Sequence, residues 1–374
     1  MKPIYLDYNA TTPIAPEVVE EMLPYLTEHF GNPSSGHPYG QKVIEAVITA
    51  RKRVAALLDC MPEEIVFTGG GSEADNQALK GVAFANKDRG NHIITSQIEH
   101  PAIQNTCRYL ETRGFKVTYV PVDKYGMVDV GVIERAVSPD TILISIMHAN
   151  NEVGTIQPLA EIGNIARKHG VYFHTDAAQS VGKIPTRVGE LNVDLLTVAG
   201  HKFYGPKGVG ALYIKKGVNI EPLIHGAGHE RGLRAGTENA AGIAALGKAS
   251  QLALIEMTQR VDGLTELRDY FYDLLQEQIG RIILNGHPEK RLPNTLNVSF
   301  KGINAAELLE QIPELAASTG SACHHGAQTM SPVLTAMNIP PDIGFGAVRF
   351  SLGRDTNRKE LEESAELLAK QVKK

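Results

Sequence analysis

Thr197-Val-Ala-Gly-His-Lys202-Phe-Tyr-Gly-Pro-Lys-Gly-Val-Gly210 is the stretch around which the chain is organised. An apolar, strand-like run, Leu195 to Ala199, ends in Gly-His-Lys, and a turn rich in glycine and proline follows. Lys202 is therefore expected to project from a strand end into a cleft. A lysine held among apolar neighbours, or beside a second cation such as His201, loses proton affinity and becomes nucleophilic enough to react with an aldehyde. The plainer alternative is a lysine solvated at a strand end. The rest of the chain has to separate the two.

Outward from this window the sequence alternates as an α/β protein does. Strand-like runs at Ile65 to Thr68, His92 to Ser96, Lys116 to Pro121, Thr141 to His148, Val171 to Thr175 and Asp194 to Ala199 are separated by helical patterns near 73–87, 101–113, 129–137 and 158–169. The pattern predicts a mostly parallel sheet with helices on both faces, whose ligands sit at the carboxyl ends of its strands. A long helical pattern from about Asn239 to Ile279 then changes the rhythm. Strands at Arg281 to Leu284, Thr295 to Phe300 and Val348 to Leu352, with helices near 304–312, 331–337 and 357–371, suggest a smaller α+β unit. The extended opening segment is expected to return to that unit. The predicted division is a large domain, 14–252, and a small one made of 1–13 and 253–374.

Composition narrows the partners. With 37 Lys and Arg against 42 Asp and Glu, the net charge is −5, which recommends neither nucleic acid nor a membrane surface. No run approaches 18 apolar residues and the N-terminus lacks the apolar stretch of a signal peptide, so a cytoplasmic protein is expected. Three scattered cysteines, Cys60, Cys107 and Cys323, suit neither a disulfide framework nor a thiolate metal site. No metal site is expected.

Four further clusters fall at strand ends. Phe67-Thr-Gly-Gly-Gly71-Ser72-Glu-Ala-Asp-Asn76 puts three glycines before a helix, with Ser72 as the expected N-cap, and leaves backbone N–H groups aimed at an anion such as phosphate; a plain capped turn is the alternative. His174-Thr-Asp176-Ala-Ala-Gln179 buries an aspartate where it needs a cation, either a ligand's or a structural one. Ser96-Gln-Ile-Glu99-His100 offers an imidazole able to stack on a flat ring or shuttle protons, or one that is simply structural. His148-Ala-Asn-Asn151-Glu-Val-Gly154 adds amide donors.

Together with Tyr5-Leu-Asp-Tyr-Asn9-Ala-Thr-Thr, Gly31-Asn-Pro-Ser-Ser, Gly228-His-Glu-Arg-Gly-Leu-Arg234-Ala-Gly-Thr237 and Gly320-Ser-Ala-Cys323, these motifs resemble the cysteine desulfurases of the class V aminotransferase family, in order and over nearly the whole chain. The resemblance implies a fold-type I enzyme using pyridoxal 5′-phosphate, with a seven-stranded sheet in its large domain and a homodimer with sites near the interface. By position, Lys202 resembles the lysine that holds the cofactor covalently, Asp176 the partner of its ring nitrogen, His100 the stacking histidine and Gln179 the donor to its phenolic oxygen. Gly71, Ser72 and His201 resemble the phosphate ligands, with Thr237 reaching in from the other subunit. Asn151 and Arg349 resemble the binders of the substrate carboxylate. Cys323 resembles the thiol that takes sulfur from L-cysteine as a persulfide, leaving alanine, and His324 and His325 stand beside it to stabilise a thiolate. A sulfur acceptor follows, such as an iron–sulfur scaffold or a tRNA-thiolation protein. Cys60 and Cys107 read as structural.

Two departures stand out. Ala199 occupies a place where many desulfurases carry serine, which predicts phosphate binding weaker by about one hydrogen bond, or roughly 1 kcal/mol. Ala-Cys-His-His-Gly, with Ser331-Pro-Val-Leu, looks more like selenocysteine lyases, so L-selenocysteine is an alternative substrate. A class V aminotransferase that ignores Cys323 and a non-catalytic member of a sulfur-transfer complex are the remaining alternatives. The intact set of Lys202, Asp176 and His100 argues against the last.

Overall fold

The strand residues of the central sheet sort by parity. Ile65, Phe67, Ile94, Ile144, Phe173, Leu196, Val198, Ala211 and Tyr213 fall in one core, whereas Val66, Ile93, Leu143, Leu195, Leu212 and Ile214 fall in another. Successive side chains of a strand point to opposite faces, so a sheet covered on both sides has to be apolar at every position. That is why Leu195–Ala199 reads as an unbroken apolar run. The computed structural model describes residues 3–319, 322–324 and 327–373, with the side chains of 322–324, 327 and 328 outside the description.

The seven strands lie in the order Ile65–Thr68, Gly210–Ile214, Leu195–Ala199, Tyr172–Asp176, Thr141–Ser145, His92–Ser96 and Lys116–Val120. The first two pairings are antiparallel and the other four parallel. Helices Gly71–Ala85, Pro101–Glu111, Val130–Ala136 and Leu159–His169 make the crossovers. Two elements fall outside the alternation expected from the sequence. The helix Pro38–Leu58 packs its buried Val43, Val47, Val54 and Leu58 inward. Gly210 does not close a turn: it pairs with Ala199 and opens the antiparallel strand that returns beside the lysine-bearing one. Among the described residues no helix is long and apolar enough to cross a membrane.

A second sheet, all antiparallel, runs in the order Ser318–Thr319, Ala347–Ser351, Thr295–Phe300 and Ile282–Asn285. Its core holds Phe271, Phe300, Phe350, Leu296, Val298 and Leu361. The helix Ala240–Ile279 belongs to both cores, contributing Ile243, Leu246 and Ala249 to the large one and Leu264, Phe271 and Leu275 to the small one. Its 40 residues span about 60 Å. The opening segment also serves both. Ile4–Tyr5 pairs in parallel with Leu315–Ala316, Asp7 bridges Ser351, and Thr12 then donates its backbone N–H to His201 O at 3.0 Å. This strap carries residues 8–12 across the carboxyl ends of the large sheet.

Phe271 and Phe350 are fully buried and meet edge to face, with centroids 5.2 Å apart. Phe271→Ala is expected to lower stability by about 3–5 kcal/mol, measured by urea denaturation.

Candidate active site

At the carboxyl ends of the large sheet a cavity of about 330 Å³ is lined by residues from both sheets and the strap. Lys202 stands at its centre, in a single helical turn, Gly200–Lys202, that follows the strand directly. Its Nζ donates to the main-chain carbonyls of Asn9 and Ala10, each at 2.8 Å. Burial, with Arg349 adding to it, pushes its pKa down to about 8. The second cation is thus Arg349 rather than His201. Burial together with Lys202 and Lys207 pushes the His201 pKa down to about 4, so that ring is neutral at pH 7 and its Nδ1 meets Thr11 Oγ1 at 3.2 Å.

Asp176 ends its strand with a carboxylate whose Oδ1 accepts the Ala178 N–H at 2.9 Å. Burial raises its pKa, opposed by that hydrogen bond and by His100 and Lys202. A buried carboxylate held by one donor is completed by a cationic partner. His100 caps the helix Pro101–Glu111, its Nδ1 accepting the Ala102 N–H at 3.2 Å, and its ring lines the cavity. Arg349, 8 % exposed, donates from Nη2 to Asp7 Oδ1 at 2.6 Å and from Nη1 to Asn151 O at 2.9 Å, while its Nε has no partner among the described residues. Asn151 lines the cavity beside it. A guanidinium lining such a space suits a carboxylate ligand.

Opposite lies the Gly-rich turn. Ser72 is not the N-cap of its helix: the helix begins at Gly71 and Gly70 takes the cap position. Gly70 sits at φ 141°, a conformation that L side chains rarely adopt, and this starts the helix one residue before the serine. The consequence favours an anion. Ser72 is freed from capping, and the first-turn N–H groups of Gly71 and Ser72 have no place in the helical ladder. Close approach is enforced from beneath, since a Cβ at Gly210 would lie 2.4 Å from Val198 O and 2.9 Å from the Gly70 backbone. Ala199 also lines the cavity and supplies no hydroxyl.

The aminotransferase class-V family model matches residues 4–363. The chain is 49% identical to cysteine desulfurase IscS of Dictyoglomus turgidum, covering 99% of this chain and 95% of the relative. It is 51% identical to cysteine desulfurase IscS of Methanosarcina thermophila, covering 100% and 93%. This chain belongs to the cysteine desulfurases of the class V aminotransferase family. A solved structure described as a NifS-like protein superposes with a TM-score of 0.93 at 39% identity and 99% of each chain, and one described as SspA in complex with cysteine with 0.83 at 40% identity, over 93% of this chain and 98% of that one.

The family uses pyridoxal 5′-phosphate, and the cavity fits that group. An amine for its aldehyde, a carboxylate for its ring nitrogen, an amide for its ring oxygen and a helix N-terminus for its phosphate line one space. Of the residues expected from the sequence, Lys202, His100, Asp176, Gln179, Gly71, Ser72, His201, Asn151 and Arg349 share that lining, and Thr237 does not. Thr237 is exposed, on a segment tied to the Gly-rich turn by Arg234, which bonds Glu73 Oε1 at 2.9 Å, while Glu73 Oε2 takes the Gly69 N–H at 2.9 Å. The Cys323 backbone pairs with Gln328 in a short ribbon; its side chain and that of His324, and residues 320, 321, 325 and 326, lie outside the described residues. Burial pushes Cys60 and Cys107 up to about 12, so neither supplies a thiolate near neutral pH.

Some groups of the site lack a sequence signal strong enough to single them out. Asn9 joins the strap to Lys202, Gln179, Lys183, Asn294 and Thr295. Asp75, which lines the cavity, and Glu99 are buried acids whose pKa values burial raises, that of Glu99 to about 8. Asp75 lies in the quoted Gly-rich motif, four residues beyond Gly71 and so one turn up the same helix face.

With its amine near pKa 8, Lys202 should react with an aldehyde reagent about fivefold faster at pH 8 than at pH 7, following the unprotonated fraction. Residue-specific labelling read by mass spectrometry measures this. Gly210→Ala is expected to displace the phosphate turn and weaken pyridoxal 5′-phosphate binding by at least about tenfold, or roughly 1.4 kcal/mol, measured by equilibrium titration.

Proposed function

We propose that the protein converts L-cysteine to L-alanine with pyridoxal 5′-phosphate held by Lys202, and passes the sulfur through Cys323 to an acceptor protein. The observation that carries this reading is the convergence of Lys202, Asp176, His100, Gln179, the Gly71–Ser72 turn and Arg349 on one cavity. Bound there, the cofactor supplies an electron sink for charge left on the substrate carbon.

The chain's own groups supply the rest. Arg349 and Asn151 hold the substrate carboxylate, which fixes the amine toward Lys202 and the side chain away from it. Lys202, lowered in proton affinity by burial and by Arg349, moves the proton at Cα. Asp176 would keep the ring nitrogen of the bound cofactor protonated, and Gly71, Ser72 and His201 would hold its phosphate. His100, which lines the cavity, would stack on the ring. The Cys323 thiolate attacks the substrate sulfur: a sulfur–sulfur bond forms, the substrate carbon–sulfur bond breaks, and the carbon takes a proton to give alanine.

Thr237, exposed and anchored through Arg234 and Glu73, is suited to reach a second copy of the chain, and a homodimer is proposed on that ground. The chain is proposed to divide functionally into 14–252, which holds the cofactor, and 1–13 with 253–374, which carries Arg349 and Cys323. L-Cysteine is the favoured substrate, in keeping with the relatives' names.

Purified protein given pyridoxal 5′-phosphate is expected to develop a visible band and to release alanine and sulfide from L-cysteine in the presence of thiol. Lys202→Ala should lose the band and all turnover, and Cys323→Ala should keep the band and lose at least about a hundredfold in turnover. Full turnover in Cys323→Ala removes the persulfide step. Selenocysteine turned over in that variant, with cysteine inert, favours the lyase reading.

A further inference from the structure

Lys183 is 6 % exposed and does not line the cavity. Among the described residues its Nζ meets no carboxylate. It donates to two neutral amide oxygens, Asn9 Oδ1 at 2.9 Å and Gln179 Oε1 at 2.8 Å. A lysine buried without a counter-charge is costly, so packing alone does not explain it; an apolar side chain would fill the same space. What a lysine brings is donor hydrogens: an ammonium can only donate, and a neutral amine still has two hydrogens for these two oxygens.

Gln179 has a donor end and an acceptor end of nearly the same shape, and its neighbours decide which way it turns. With Oε1 engaged by Lys183, Nε2 is turned the other way and donates to Asn9 O at 3.0 Å. The same carbonyl takes Lys202 Nζ. An amide nitrogen has two hydrogens. One goes to Asn9, which leaves the second for the cavity that Gln179 lines. Asn9 is held in turn: its N–H donates to Ser351 Oγ at 2.9 Å, its Nδ2 to Thr295 Oγ1 at 2.9 Å, and its Oδ1 also takes Asn294 Nδ2 at 3.1 Å.

We propose that Lys183 is a positioning residue that sets which end of the Gln179 amide faces the cavity, so that a donor rather than an acceptor meets the ring oxygen of the bound cofactor. The inference rests on the reading above that this cavity holds pyridoxal 5′-phosphate. Without Lys183 the amide is held only by the Asn9 carbonyl, and a turn that presents Oε1, which opposes an anionic ring oxygen, becomes less costly. The titratable groups around this ladder are Lys183 and Lys202, whose pKa values burial lowers, the Arg349 guanidinium, the carboxyl groups of Asp176 and Asp7, and His100 and His201, whose pKa values burial also lowers. A donor at the ring oxygen favours the deprotonated form of the cofactor–lysine linkage. Its loss therefore moves the pH midpoint of the visible band upward.

The experiment is an absorbance titration of the full chain loaded with pyridoxal 5′-phosphate. Lys183→Met is expected to raise the midpoint by about one pH unit. Lys183→Ala, measured beside it, should shift the same way, so that a folding failure of one leaves the other. In a Gln179→Ala background neither substitution should shift the midpoint further, because the lysine acts through that amide. An unchanged midpoint in the Lys183 variants, or an equal shift in the Gln179→Ala background, overturns the inference and leaves the cofactor reading standing. Wild-type protein that develops no band overturns both.

Discussion

The main-chain carbonyl of Asn9 is where the two halves of the molecule meet. It receives Lys202 from the large sheet and Gln179 from the turn after Asp176, while the same residue is fastened through its own amide groups to Ser351 and Thr295 of the small sheet. A carbonyl in this position cannot be supplied by either sheet alone. The strap has to pair with Leu315–Ala316 at one end and with the residues after Lys202 at the other before the nucleophilic amine has anywhere to rest. Lys202, Gln179 and the small sheet are therefore tied together through one residue, by hydrogen bonds between 2.8 and 3.0 Å.

Burial acts on both signs of charge here, and in opposite directions. It raises the pKa values of Asp75, Glu99 and Asp176 and lowers those of Lys202 and Lys183. Each group is thereby pushed toward its neutral form. A polar ligand that brings its own compensating charges would reverse the trend locally: under the proposed function a ring cation would restore Asp176 as a carboxylate, and a substrate carboxylate would complete Arg349. The site is poised to become charged as it fills.

Much of this was legible in the sequence because the signals were local. Unbroken apolar runs marked the parallel strands, and the long helix was visible to within a residue or so at each end, Asn239 to Ile279 against Ala240–Ile279. The cavity residues of the large sheet were legible because they sit at or just beyond a strand end, where a polar side chain has no role in a core, whereas Arg349 lies within the strand Ala347–Ser351 and was reached through the family resemblance. What escaped was non-local. Asn9 and Lys183 lie 174 residues apart and their roles exist only once the strap has crossed. Ser72 looked like a cap by residue type, yet glycine's access to a φ of 141° at residue 70 started the helix earlier. His201 looked like a cation by its neighbour, and burial made it neutral. Pro38–Leu58 escaped although its buried residues at 43, 47, 50, 54 and 58 recur at helical spacing, because it precedes the first strand of the alternation.

The helix Ala240–Ile279 has one end in each core, and its length turns it into a lever. Over about 60 Å, one degree of tilt at the large-sheet end displaces the other end by roughly 1 Å. Side chains packed on that far end, Phe271 and through it Phe350, stand next to Arg349 on the same strand. The packing around Ile243 and Leu246 and the strand that carries Arg349 are thus joined through one continuous element, so the position of the guanidinium depends on how that helix is seated at its other end.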